Sequence, residues 1–212
     1  TMNPDFESNV LDIFADLVAE GIVYRQLKPV HWSIANQTAL AEAELEYEDK
    51  VDTAIFLNFD CLDSNAIQNK FDIPTDKTLS LLVWTTTPWT IPANLAIAIH
   101  QDHEYSIVDL GMTHNYIIAT ERIDSIVDTC HLTTVTALAT LKGSDLLDIQ
   151  FQRPFCDRQG KIIHGSFVTL DDGSGLVHIA PGHGTDDYIA GNAHQLDVYC
   201  PVLADGSYDD TV

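Results

Sequence analysis

A run of hydroxyl side chains follows an apolar segment near the middle of the chain. Residues 85–87 are all threonine, they come directly after the apolar residues that end at Trp84, and Pro88 and Pro92 follow closely. Two prolines remove backbone donors and stiffen the segment, so these hydroxyl groups can line a small polar pocket. The alternative is a threonine-rich strand edge whose hydroxyls bond only to their own backbone. The residue types alone leave both interpretations open.

A second polar stretch, at residues 173–188, combines two histidines with two aspartates. His178 and His183 alternate with glycines, and Asp186 and Asp187 follow closely. Glycine lets the backbone approach another group closely, so the pattern favours a polar site at a strand-to-helix junction. The alternative is that His178 is a hydrogen-bonded histidine of a strand, and that the two aspartates only stabilise a helix N-terminus.

A metal-dependent hydrolase is a further alternative for this stretch. His178, His183, Asp187 and His194 carry imidazole and carboxylate groups, which suit zinc or manganese. No H-x-x-x-H or H-E-x-x-H spacing accompanies them, and the four cysteines contain no C-x-x-C pair. We therefore predict no metal site. Neither a G-x-S-x-G elbow nor a G-x-x-x-x-G-K-[ST] loop occurs, so no sequence motif indicates serine catalysis or ATP hydrolysis.

The elements expected around these stretches are mostly short strands. The N-terminal pattern predicts a helix with Asn3 as its N-cap that ends near Glu20, and a second helix is expected from Thr185, as its N-cap, to about Gln195. Alternation and β-branched residues predict strands at 39–47, 51–59, 79–84, 96–99, 105–110, 116–119, 133–141, 162–170 and 175–180. Residues 60–77 are expected to form an irregular connection. Many short strands with few helices indicate a β-barrel-like α+β fold.

The charge and the hydropathy exclude two classes of protein. The 32 acidic and 10 basic side chains among 212 residues give a net charge of −22, which opposes a sequence-independent grip on a nucleic-acid backbone. No window approaches the roughly 18 to 20 consecutive apolar residues of a membrane-spanning helix, and the first residues do not resemble a secretion signal. We expect a cytoplasmic protein that does not contact a membrane.

Together, the two polar stretches resemble the inserted editing domain (connective polypeptide 1) of isoleucyl-tRNA synthetase, in the class I aminoacyl-tRNA synthetase family. The family's W-T-T-T-P-W-T-[IL]-P-A-N segment matches residues 84–94, and its G-[ST]-G-x-V-H-x-A-P-x-H-G-x-[DE]-D-Y segment matches residues 173–188. The valyl and leucyl enzymes carry T-T-R-P where this chain has T-T-T-P. The resemblance implies an α+β, β-barrel-like editing domain at 33–212 with a few peripheral helices. Residues 1–32 would be an N-terminal helix and lead-in bordering the synthetic domain.

The resemblance also implies a reaction. A synthetic site that accepts isoleucine cannot strongly reject valine, so a second site must hydrolyse the smaller product. The expected substrates are the tRNA(Ile) acceptor end carrying valine and, before transfer, valyl-adenylate, and the other partner is the rest of the synthetase chain. We expect a monomer and no cofactor for editing. ATP and Mg²⁺ would serve the synthetic site of the full-length enzyme, whose H-I-G-H-like and K-M-S-K-S-like signatures this chain lacks.

Roles for individual residues come from the same resemblance. Asp187 would bind the α-ammonium group of the substrate, and Thr85, Thr86 and Thr87 would bind the aminoacyl group, its carbonyl and the attacking water. His178 would pack beside the aliphatic side chain and limit its size. The remaining implied substrate contacts are Trp84, Trp89, Asn94 and His183. A domain that only positions the acceptor end, without catalysis, is the alternative.

Overall fold

The computed structural model describes residues 2–212, which form four α-helices and eleven strands. The helices are α1 (Pro4–Ala19), α2 (Ser64–Lys70), α3 (Ile123–Thr129) and α4 (Thr185–Ala193). The strands are β1 (Trp32–Ser33), β2 (Thr38–Ala39), β3 (Ile55–Asp60), β4 (Thr78–Thr85), β5 (Ala96–Ile99), β6 (Glu104–Asp109), β7 (His114–Ala119), β8 (Thr136–Lys142), β9 (Gln150–Gln152), β10 (Gln159–His164) and β11 (Val177–Ile179).

The longer strands are divided between two mixed sheets. One sheet has the order β3-β4-β7-β6-β8, and the other has the order β11-β5-β10-β9. The β4–β7 and β5–β10 pairs are parallel, and the other pairs in these sheets are antiparallel. A bridge between Cys61 and Phe151 joins the β3 edge of the first sheet to the β9 edge of the second. The strands β1 and β2 form a separate hairpin.

Apolar side chains from the two sheets meet face to face and form the main core. This cluster contains Phe59, Leu81 and Val83 from the first sheet and Ile97 and Phe151 from the second. On the outer face of the five-stranded sheet, α3 packs through Ile126; on the outer face of the four-stranded sheet, α4 packs through Ala190. The result is four layers, helix on sheet on sheet on helix.

The N-terminal helix α1 forms where the sequence predicts it. The side chain of Asn3 caps it by accepting a hydrogen bond from the Asp5 N–H at 2.9 Å, and Glu20 is its C-cap. No residue of α1 is buried, so its apolar stripe faces outward. Within residues 2–212, no helix is both long enough and apolar enough to cross a membrane.

The α+β class with few helices is confirmed, and the strands form open sheets: no closed barrel occurs in the part of the chain that the structure describes. The fold is that of a pair of packed sheets bridged at one edge. The predicted boundary between 1–32 and 33–212 stays a prediction.

Several predicted elements are wrong in detail. Residues 39–47 are not a strand: beyond the end of β2 the segment is mostly exposed and holds a 3₁₀ turn at Glu42–Glu44, because no neighbouring strand pairs with it. The segment 60–77, predicted to be irregular, contains α2, which is anchored by the fully buried polar residue Gln68. The sequence analysis also missed α3 and β9, and the N-cap of α4 is Gly184 and not Thr185.

Candidate functional site

The fold brings the two polar stretches of the sequence into contact. Gly173 has φ +66°, and a Cβ atom there would lie 2.9 Å from the ring of Trp84, so only glycine lets the second stretch pass this close to the end of β4. The rings of Trp89 and His183 pack edge to face with their centroids 5.4 Å apart. Residues almost a hundred positions apart therefore form one surface.

The threonine segment begins at the last residue of β4. Thr85 pairs with Ile55 across the β3–β4 ladder, and its hydroxyl oxygen accepts a hydrogen bond from the Thr87 N–H at 3.0 Å. The intervening Thr86 is exposed. A 3₁₀ turn over Pro88–Ala93 follows, as expected where two prolines exclude a regular ladder. The Thr85 hydroxyl thus accepts from its own backbone and keeps its own hydrogen to donate.

His178 lies on β11 and is almost fully covered, with 8% of its surface exposed. Its Nε2 atom is 2.9 Å from the Thr90 hydroxyl, and its Nδ1 atom is 2.9 Å from the amide nitrogen of Asn94. Burial, with smaller contributions from the nearby His183 and Arg153, lowers the pKa of His178 to about 4. The imidazole is therefore neutral at pH 7, and both its nitrogens are engaged.

Asp187 sits in the first turn of α4 and turns back toward the end of β11. One carboxylate oxygen accepts a hydrogen bond from the Ala180 N–H at 2.8 Å. Burial raises the pKa of Asp187, the neighbouring Asp186 adds to the rise, and the Ala180 N–H opposes it. No ion pair found within residues 2–212 includes Asp187. A cation brought to this carboxylate would relieve an unfavourable burial.

His183 begins the turn that leads into α4. Its Nε2 atom is buried and has no hydrogen-bond partner within the described residues, while its ring rests against Trp89. Burial lowers the pKa of His183, so this ring is also neutral near pH 7. An unpaired buried ring nitrogen is costly, and a ligand group could satisfy it.

The metal alternative finds no support in this geometry. Among residues 2–212, no three His, Cys, Asp or Glu side chains are arranged to hold one metal ion. Both nitrogens of His178 are already bound to Thr90 and Asn94, so this imidazole has no free lone pair for a metal.

Two residues beside the site carried no role in the sequence analysis. Thr90 is buried and bonds to His178, and its place in the T-T-T-P-W-T run, three positions after Thr87, is the signal that could have marked it. Arg153 is 4% exposed, and its guanidinium donates at 3.1 Å to the carbonyl of Pro92, which lies in the same 3₁₀ turn as Thr90. No local motif surrounds Arg153, so sequence reasoning had no means to place it.

Comparison with known proteins identifies the family of the chain. The family model of class I tRNA synthetases (I, L, M and V) matches residues 1–186, and the chain belongs to this family. It is 41% identical over 211 residues to the isoleucine–tRNA ligase of Mannheimia succiniciproducens and 38% identical over 202 residues to that of Bacillus subtilis. These matches cover 99% and 95% of this chain but 22% and 21% of the relatives. The chain spans about a fifth of the length of the curated relatives it matches.

Solved structures with the same fold are editing domains. A structure described as GlLeuRS-CP1 has a TM-score of 0.57 at 17% identity and covers 69% of this chain and 66% of its own. The Plasmodium falciparum cytosolic leucyl-tRNA synthetase editing domain has a TM-score of 0.56 at 11% identity, covering 64% of this chain and 63% of its own. At these identities the likeness is one of fold. The resemblance to the connective polypeptide 1 editing domain of isoleucyl-tRNA synthetase is confirmed.

Proposed function

We propose that this chain hydrolyses valine mischarged onto tRNA(Ile), and valyl-adenylate before transfer, as the proofreading part of a longer isoleucine–tRNA ligase. The observation that carries the proposal is the contact between the two polar stretches, of Thr90 with His178 and of Trp89 with His183, on a fold shared with editing domains. The partners of the chain are then the acceptor end of tRNA(Ile) and the rest of the ligase.

Asp187 supplies the charge that the substrate requires. The ester of an amino acid carries a free α-ammonium group, and the carboxylate of Asp187 is partly buried with one oxygen fixed by the Ala180 N–H. Binding an ammonium group there exchanges an unpaired buried charge for a paired one, which favours the aminoacylated end over an uncharged ester. Asp187 is in this way the recognition group for the amino acid.

Hydrolysis then needs an oriented water molecule and no side-chain nucleophile. Water adds to the ester carbonyl, the bond from this carbon to the ribose oxygen breaks, and a proton passes from the water to the departing ribose oxygen. The hydroxyls of Thr85, Thr86 and Thr87 orient the carbonyl and the water. Orientation and hydrogen bonding to the developing oxyanion supply much of the acceleration in reactions of this type. The buried neutral ring of His178 limits the size of the aliphatic group.

The strong negative charge determines how much of the tRNA this chain contacts. A net charge of −22 opposes broad contact with a polyanion. The chain receives only the acceptor end, while the remainder of the ligase holds the rest of the tRNA. The isolated chain is accordingly a weak catalyst compared with the full-length enzyme.

The test is deacylation of valyl-tRNA(Ile) and isoleucyl-tRNA(Ile) by the full-length ligase, with Asp187→Ala compared with its neighbour Asp186→Ala. We expect the wild type to hydrolyse only the valyl ester, and Asp187→Ala to lose about 100-fold or more of that rate, because a buried pair has lost one partner. Asp186 is exposed on the same helix turn, so the deacylation rate of Asp186→Ala should stay within a few-fold of the wild-type rate.

Three outcomes would count against the proposal. Full activity of Asp187→Ala would remove this carboxylate from the site. Absence of deacylation by a wild-type enzyme that still aminoacylates would favour a domain that positions the acceptor end without catalysis. If a chelator abolished deacylation in an assay that does not itself require Mg²⁺, the metal-dependent alternative would be supported instead.

A further inference from the structure

Three separate segments of the chain are joined by hydrogen bonds at one buried point. His178 comes from β11, Asn94 immediately precedes β5, and Thr90 lies in the turn after the threonine segment. All three side chains are buried, with at most 8% of any of them exposed. The bonds among them are therefore shielded from water, and the direction of each one is fixed by its neighbours.

The direction of every bond in this chain of contacts follows from Asn94. Its amide nitrogen lies 2.8 Å from the Ala96 carbonyl oxygen, which can only accept, so the nitrogen and not the oxygen occupies this place. The same nitrogen lies 2.9 Å from Nδ1 of His178, so Nδ1 accepts and carries no proton. The proton of the neutral ring is then on Nε2, which donates to the Thr90 hydroxyl.

The chain of bonds ends on the threonine segment. The Thr90 hydroxyl, having accepted from His178, donates its own hydrogen to the Thr87 carbonyl at 2.8 Å. The Thr90 N–H donates to the same carbonyl at 3.1 Å, and the Thr87 N–H donates to the Thr85 hydroxyl. Both peptide groups of Thr87 are thus fixed, in a conformation with φ −126° and ψ 63° that no regular element would impose.

The geometry points to Thr90 and Asn94 as positioning residues that hold His178 in its Nε2–H form and, through it, hold the threonine segment in the conformation that catalysis needs. This role rests on the proposed hydrolysis at the same site. Neither residue needs to touch the substrate, since each acts through His178 or the Thr87 carbonyl. His178 is in this arrangement a structural donor as well as a wall of the pocket.

Burial and the ionisable neighbours of His178 keep it in the neutral form that this arrangement requires. The ring nitrogens face only Thr90 and Asn94, and the ionisable neighbours that act on the ring are His183, from the turn before α4, and Arg153, from the end of β9. Burial and both neighbours lower the pKa of His178. Protonation of Nδ1 would set a donor against the Asn94 donor and break the chain of bonds.

The first experiment reads the tautomer directly by ¹⁵N NMR of the histidine rings in the 212-residue chain, with His178→Gln used to assign the resonance. We expect a pyrrole-type Nε2 and a pyridine-type Nδ1 for His178, unchanged between pH 8 and pH 5. A proton on Nδ1, or titration of this ring near pH 6.5, would overturn the assignment. This measurement does not depend on any enzymatic activity.

The second experiment compares Thr90→Val with Thr90→Ser in the full-length ligase. Valine keeps the shape and removes the hydroxyl, whereas serine restores it. We expect Thr90→Val to lower kcat for valyl-tRNA(Ile) hydrolysis by about 10-fold or more with little change in KM, and Thr90→Ser to stay within about threefold of the wild type. Thermal unfolding of each variant accompanies the kinetics.

The two hypotheses fail in different ways. A wild-type enzyme without deacylation overturns the proposed function but leaves the NMR result to stand alone. An active wild type with a folded Thr90→Val of equal kcat overturns the positioning role only. Should Thr90→Val unfold, Asn94→Ser takes its place, and retention of both full activity and the Nε2–H tautomer in that variant would equally refute the inference.

Discussion

The two halves of the site differ in how completely their ionisable side chains are paired, although the side-chain oxygen of Asn94, on the His178 side, is also buried without a partner within residues 2–212. On the His178 side, each ring nitrogen has a partner and the bonds continue through Thr90 to the Thr87 carbonyl. On the Asp187 side, one carboxylate oxygen is fixed by a backbone N–H, and the neighbouring His183 has a buried nitrogen without a partner within residues 2–212. The paired half is built to keep its shape, and the incompletely paired half is where a ligand gains most by binding.

The same contrast sets opposite pH dependences. The folded pKa of His178 lies near 4, below its ordinary 6.5, so the unfolded chain takes up the proton first and this residue costs stability as the pH falls through that window. The folded pKa of Asp187 lies above its ordinary value of 3.8, so this residue costs stability as the pH rises from 3.8 through the folded value. The His178 side therefore destabilises the fold in acid, and the Asp187 side destabilises it at neutral pH.

Asp187→Asn should produce the largest separation between the halves. Asparagine keeps an oxygen for the Ala180 N–H and removes the buried charge. We expect hydrolysis of valyl-tRNA(Ile) to fall about 100-fold or more, while thermal unfolding at pH 7 shows equal or greater stability than the wild type. The stability advantage should shrink as the pH is lowered toward 3.8. A variant that is clearly less stable at pH 7 would contradict the idea of an unpaired carboxylate.

Removing a threonine hydroxyl should have the next largest effect. Thr86→Ala or Thr87→Ala is expected to cost about 1 to 3 kcal/mol of transition-state stabilisation, measured as kcat/KM for deacylation. Thr78→Ala, at the exposed start of the same strand β4, is the matched control and should be neutral. If the triple alanine variant at residues 85–87 retains the wild-type rate, the water is oriented by other groups.

His178→Ala tests whether the paired half also sets the size limit. One methylene of overlap in a rigid pocket costs about 1 to 3 kcal/mol, so removing the ring should admit isoleucine. Hydrolysis of isoleucyl-tRNA(Ile) should rise, and that of valyl-tRNA(Ile) should fall, because the bond from the ring to Thr90 is lost. A parallel loss with both substrates would mean that His178 only supports the threonine segment.

Gly184→Ala should give the smallest loss of deacylation, and this loss should arise from displacement of the Asp187 carboxylate. A Cβ atom at 184 would lie 3.0 Å from Cγ of Asp187 and 3.1 Å and 3.2 Å from its oxygens, so the carboxylate must move by a few tenths of an ångström. We expect a loss of about 3- to 10-fold in deacylation. In the double variant with Asp187→Ala, the substitution at 184 should add nothing further. Additive losses would show that Gly184 acts elsewhere.

The sequence predicted the strands around the site better than the periphery. Residues 96–99 were placed at the bounds of β5, because four apolar residues bounded by turn signals mark a buried strand. The helices α2 and α3 are seven residues each, too short for a clear helical period, and they were missed. Burial of a polar side chain such as Gln68 follows from tertiary contacts that no local pattern encodes.

The candidate site divides along the same line. The two motifs named the residues that the fold brings together, such as Trp89 and His183, because their types are unusual for their positions. Thr90 stands in the same run as these residues but received no role, since its importance lies in a bond to His178 from the other motif. The roles of Asp187 and the threonines in catalysis stay predictions for the variants described above.

Strand β5 affects how rarely the region around the site opens to solvent. All four of its residues are completely buried, with Ile97 and Ile99 in the core between the sheets and Ala96 and Ala98 in the core beneath α4. Its neighbours β11 and β10 cover both of its edges. Amides enclosed in this way exchange with solvent deuterium only when the whole domain opens. Asn94 comes just before β5, and His178 pairs with Ile97 of β5, so we expect heating to abolish hydrolysis together with the fold and not ahead of it.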